Sequence, residues 1–178
     1  MNRSIRQVAG VLSTFLVFAG VMLSSASDAW AQQKAANLKE ELVGNWTIVS
    51  ATIEQGGAKR EIFGPDPRGF MALETNGRYS ITLLRSGLPR VASNNREAGT
   101  SEENKAIAAG ILAHFGTYSV SEKDRAINFQ IMSSTFPNWD GANQKRPITS
   151  LTSDELKWIV PAPSQGSGTA YLVWRRIR

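Results

Sequence analysis

The chain has 178 residues and a net charge of +5, from 20 Lys and Arg against 15 Asp and Glu. It has no cysteine, which excludes disulfides, thiolate-held zinc and thiol nucleophiles. The charge is mild and mixed in sign, with no run of like residues, so nothing in it points to a nucleic acid or a polybasic membrane contact.

Arg3 and Arg6 precede a mostly apolar stretch from Val8 to Leu23, and Ala29-Trp30-Ala31 follows as a small-x-small ending. This is the tripartite pattern of a cleavable signal peptide over residues 1–31. A helix over that apolar stretch spans about 24 Å, short of the about 30 Å of a bilayer core. The expectation is therefore cleavage and a periplasmic or secreted product with no stable membrane anchor, since no cysteine is available for acylation. The remaining residues divide into an N-terminal tether, 32–41, and one domain, 42–178, large enough for a single core.

From Gly44 the chain turns β-rich. Trp46 to Ile53 is a strand pattern ending near Gly56-Gly57, and a weaker run, Arg60 to Phe63, stops at Gly64-Pro65-Asp66-Pro67. Gly69 to Thr75 and Arg78 to Arg85 flank Asn76-Gly77, a hairpin signal read as a type I′ turn. Ser86 to Gly99 is a polar loop. Thr100 and Glu103 form a capping box at the head of a helix, with Ile107, Ile111 and Leu112 on one face and His114 at its end. Short strands follow at Gly116–Val120, Ala126–Ser134, Gln144–Leu151, Leu156–Val160 and Thr169–Ile177. In Ala126–Ser134, Ile127, Phe129 and Ile131 alternate with Asn128 and Gln130, which are assigned to solvent. Eight or nine short strands with tight turns lose their open edges most easily by closing into a barrel.

Gly44-Asn45-Trp46 at the head of the first strand resembles the Gly-x-Trp signature of lipocalins. Phe136-Pro137-Asn138-Trp139-Asp140-Gly141, followed by Gln144-Lys145-Arg146 and by Leu151, Asp154, Leu156 and Trp158, is similar to the pattern of the bacterial lipocalin-like domain family, in an exported, calycin-type member. The resemblance runs from about Leu42 to Arg178. It implies an all-β fold: an antiparallel up-and-down lipocalin-like β-barrel of about eight strands with one inserted α-helix. It also implies that Trp46 closes one barrel end beneath a late arginine, Arg176 or, failing that, Arg175. The position of the helix, between strands rather than after them, departs from vertebrate carriers.

Tyr79, Tyr118, Phe129 and Trp158 lie within strands and are candidate cavity residues or plain core. Arg146 and Asn138 are candidate ligand contacts or parts of a corner loop, with Arg146 able to clamp a carboxylate or phosphate. No catalytic residue, metal ligand or cofactor motif is assigned. The expected partner is a small apolar or amphipathic ligand inside the barrel, with an anionic head near Arg146, under a cover formed by the Ser86–Gly99 loop and the helix. Two alternatives stand beside this reading. One is a cofactor-free isomerase or cyclase using Tyr118, Asp140 or Arg146 for proton work; the other is an envelope interaction protein with a filled barrel.

Overall fold

A computed structural model describes residues 38–178. The expected signal peptide, with its predicted export, and residues 32–37 of the tether lie outside the described residues. The described chain forms α1 (Leu38–Leu42), β1 (Gly44–Gln55), β2 (Ala58–Glu61), β3 (Arg68–Leu73), β4 (Arg78–Leu84), α2 (Ser101–Ala109), β5 (Ile111–Ser121), β6 (Ala126–Ser134), β7 (Asn143–Leu151), β8 (Glu155–Val160) and β9 (Thr169–Arg176). Every strand pair is antiparallel, and β1 pairs with β9 to close the sheet. The ring is an eight-stranded barrel of β1 and β3–β9. β2 is extra: along one edge, Gly44–Thr47 of β1 pairs with β3 and Thr52–Gln55 with β2.

Period-two alternation decides which side chains fill the barrel. Tyr79, Ile81 and Leu83 of β4 are buried, as are Ile127, Phe129 and Ile131 of β6. Asn128 is half-buried and Gln130 exposed on the opposite face. Trp46, Trp158 and Trp174 are among the largest fully buried side chains, so the interior is rich in aromatic surface.

One end of the barrel is plugged. Leu38 and Leu42 of α1 are buried there, and Trp46 Nε1 donates to Leu42 O at 3.0 Å. The Arg176 guanidinium lies 4.1 Å from the centre of the Trp46 indole and donates to Val43 O at 2.8 Å, to Ser153 O at 2.7 Å and to Glu41 O. The arginine thus ties the first strand, the last strand, the helix and the β7–β8 turn together. Gly44, at φ +131°, would press a Cβ to 2.9 Å from Arg176 Nη1, which accounts for glycine two residues before the tryptophan.

Two local readings change. The β3–β4 connection is a hairpin, but not of type I′: Asn76 does not have positive φ, whereas Gly77 does, at 83°. Gly77 N donates to Glu74 O at 3.0 Å and Glu74 N to Arg78 O at 2.9 Å, giving a three-residue loop with glycine in the bulge position. Asn76 Oδ1 instead accepts from Arg78 N at 2.8 Å. The capping box at Thr100 and Glu103 is present, but the helix stops at Ala109 with Gly110 as its cap. Ile111 to Phe115 then belong to β5, so His114 is a strand residue and not a helix end. α2 buries none of its residues and, like the Ser86–Gly99 loop, takes no part in lining the barrel interior.

Candidate ligand site

The barrel end opposite Trp46 holds a cleft. Its rim comes from three connections: Ile62 and Phe63 between β2 and β3, Trp139 between β6 and β7, and Pro163, Ser164 and Gln165 between β8 and β9. Its walls are Ile81, Leu83, Leu112, Val160, Ala170, Leu172 and the indoles of Trp158 and Trp174, and its polar side chains below the rim include His114 and Arg146. The space between these side chains, counting the open mouth, is about 430 Å³, but little of it is wide enough for a water molecule.

Arg146 faces inward because β7 alternates: Arg146 and Ile148 are buried while Lys145 and Thr149 are exposed. Its guanidinium donates to Gln144 Oε1 and, at 3.4 Å, to Lys145 O, and lies 5.8 Å from the Trp139 ring centre. Among the described residues no carboxylate pairs with it. Burial lowers its pKa to about 10, which leaves it cationic at neutral pH. A buried cation without a counter-charge is costly, by several kcal/mol.

His114 is 5% exposed. Its Nδ1 lies 2.9 Å from Tyr79 Oη, and its ring meets Trp139 edge-on at 5.7 Å. Tyr79 has no other hydrogen-bond partner among the described residues. Burial raises the pKa of its hydroxyl, so it stays protonated. Since Nδ1 is the acceptor it reaches among the described residues, the tautomer in which it donates to Nδ1 leaves no hydroxyl proton unpaired. The ring proton of His114 then sits on Nε2, away from Tyr79. Burial, and secondly the Arg146 charge, depress the imidazole to about 3. An unfolded histidine takes up its proton near 6.5 and this one only near 3, so acid favours the unfolded chain. The contribution is complete above about pH 6.5 and is lost as pH falls toward 3. His114 is the chain's single histidine, so between pH 7.5 and 5.0 it dominates the side-chain titration. Urea midpoints should fall across that interval, with the unfolding constant rising toward about tenfold per pH unit once below 6.5. In His114→Gln the slope should flatten; an unchanged slope would refute the assignment.

The expected site residues divide by position. Arg146 and Trp158 line the cleft. Tyr79 supports it from below through His114, and Phe129 packs beneath against Tyr79 at 4.4 Å and Trp158 at 5.8 Å. Tyr118 is buried toward the plugged end, where its hydroxyl donates to Glu74 O at 2.8 Å. Asn138 is exposed on the short 3-10 turn Pro137–Trp139 and does not line the cleft; its neighbour Trp139 does. Asp140 is also exposed and accepts from Ser134 N at 2.7 Å, so Tyr118, Asp140 and Arg146 do not converge. Sequence reasoning passed over His114, Trp139 and Trp174. The alternation Leu112, His114, Gly116, Tyr118 was the signal for the first. Among the described residues no three His, Asp or Glu side chains gather as a metal site.

The lipocalin-like domain profile matches residues 43–177. The 4'-hydroxy-3'-methoxypropiophenone carrier protein ppsC of Aspergillus oryzae is 26% identical over 107 residues, covering 55% of this chain and 96% of that protein. Among solved structures, a redesigned β-barrel aligns over 78% of this chain and 94% of its own, with 12% identity and a TM-score of 0.43. A de novo fluorescence-activating β-barrel aligns over 80% and 99%, with 14% identity and a TM-score of 0.41.

Proposed function

Because the chain belongs to the lipocalin-like domain family, we propose that it is a carrier that holds a small, flat, largely apolar molecule in the cleft at the open barrel end. The observation that carries this reading is a cleft lined by three indoles, with a buried Arg146 that no carboxylate among the described residues counters. Such a combination, mostly apolar with a few fixed polar groups, is what small-ligand sites use. The similarity to a carrier protein named for an aromatic ketone supports the same class of cargo. Export to the periplasm or beyond is part of the proposal and rests on the residue 1–31 pattern alone.

Three of the chain's five tryptophans line the cleft, so binding reports on itself. Titration with 4'-hydroxy-3'-methoxypropiophenone and with small aryl acids should give saturable quenching of tryptophan fluorescence, absent after unfolding in urea. No saturable response across such a panel would overturn the carrier reading. One observation favours the filled-barrel alternative: the cleft is narrow, while Phe115 and Met132 stand 50% and 55% exposed on the outer face. That reading predicts the silent titration.

A further inference from the structure

Below the rim, the polar side chains of the cleft offer mainly hydrogen-bond donors. Arg146 offers only donors. His114, with Nδ1 engaged by the Tyr79 hydroxyl, offers Nε2–H. The indole Nε1 groups of Trp158 and Trp174 are buried and have no partner among the described residues, and an indole nitrogen donates only. The nearby side-chain acceptor, Gln144 Oε1, is already taken by Arg146. The backbone groups of the walls belong to the ladders of the closed sheet. Below the rim the cleft is thus lined by a cation without a counter-ion, two indoles with orphan N–H groups and a neutral imidazole N–H, with no free side-chain acceptor among the described residues.

Buried donors without acceptors are rare in folded proteins, and each specific case calls for a reason. Four residues on four strands, β5, β7, β8 and β9, line this one cleft. A bound molecule that brings acceptors supplies what these donors lack. The charge count restricts the molecule further. One guanidinium balances one negative charge, so a monoanion fits where a phosphate monoester dianion leaves a charge buried and uncountered. A carboxylate matches the planar fork of an arginine with two parallel bonds. The flat walls of Trp139, Trp158 and Trp174 suit an aromatic ring behind it.

We propose that the cargo of this cleft is an aryl or arylalkyl carboxylate, with its carboxylate seated on Arg146 in a cleft whose other polar side chains below the rim, His114, Trp158 and Trp174, are N–H donors. This rests on the carrier reading and narrows it from an aromatic molecule to an anionic one. The site selects against amines, which would put a second cation beside Arg146. It also selects against primary amides, whose NH2 group meets donors below the rim.

The test is a matched series on three bodies: phenylpropionic, cinnamic and 1-naphthoic acids, each as carboxylate, primary amide and corresponding amine. Binding to the full chain is measured by calorimetry at pH 7.5. A hydrogen-bonded charge in a buried site contributes about 1.5–3 kcal/mol, which is about tenfold or more in affinity. At least one carboxylate should bind about tenfold more tightly than its amide, and no amine should bind. In Arg146→Gln that preference should collapse, with Arg146→Lys retaining part of it; near-UV circular dichroism confirms that each variant is folded. Should Arg146→Gln fail to fold, the carboxylate-to-amide ratio of the unsubstituted protein decides alone. Amides binding as tightly as carboxylates would overturn the anionic head group and leave the carrier reading standing. Silence from every member of the series, with silence from the ketone, would overturn both.

Discussion

Alanine in place of Trp46 is expected to remove about 3–5 kcal/mol of stability, the range for deleting a large buried aromatic. The side chain is wholly buried, so the substitution leaves a cavity where no other residue can follow. It also releases two further groups. Leu42 O loses the indole donor at 3.0 Å, and the Arg176 guanidinium loses the ring beneath it at 4.1 Å. Arg176→Ala should cost less than Trp46→Ala, because the indole and its packing against α1 remain. Urea denaturation of both variants checks the order. A loss below about 0.5 kcal/mol for Trp46→Ala, the scale of an ordinary surface change, would mean that the plug is not integral to the fold.

The second large effect is expected at Gly116. There β5 and β6 shift register, with Phe115 opposite Ser133 and Gly116 opposite Ile131, so Met132 is an extra residue on β6. A Cβ on Gly116 would stand 2.0 Å from Gln130 O and 2.9 Å from Met132 N. Both are backbone atoms held in the ladder and cannot swing away. Gly116→Ala should therefore cost about 3 kcal/mol, the upper part of the range for overpacking. It should also weaken cargo binding, since His114 lies two residues away on the same inward face. Gly87→Ala is the control: nothing lies within 4 Å of its added Cβ, and the change should stay within about 0.5 kcal/mol. Equal midpoints for the two variants would show that the bulge yields.

The parts of the fold that were legible in the sequence are those written in local chemistry. The strand runs, the hairpin at Asn76-Gly77 and the capping box at Thr100 all depend on residues within a few positions of one another. The end of the helix was not legible in the same way. Ile107, Ile111 and Leu112 satisfy a helical spacing, yet Leu112 and His114 equally satisfy a strand spacing, and pairing with β4 and β6 decides between them. Tertiary pairing outweighs a weak periodicity over so few residues. The site was legible to the extent that strand alternation fixed it: Arg146, Trp158 and Tyr79 all face inward. Asn138 was a natural turn residue and stayed one. On a 3-10 turn adjacent side chains diverge by about 120°, so only the three-dimensional path of the turn could select Trp139 as the member that reaches the cleft.

The closing of the ring has a consequence for how the chain acquires its structure. Most strands pair with the next one in the chain, while β1–β3 reaches past β2 and β4–β5 past the segment that holds α2. The longest reach is β1 with β9, where Trp46 stands opposite Arg176 and Glu54 opposite Thr169. That single pairing spans nearly the whole domain and carries its greatest loop-closure entropy. Formation of the β1–β9 seam should therefore set the folding rate, as long-range pairing does in other sheet proteins. Before it forms, both strands present open edges, which are templates for pairing with another chain. Trp46 and Arg176 sit opposite each other at the first rung of that seam. The contact that closes one end of the barrel is then also the one that ends the interval in which the chain can join to a neighbour instead of to itself.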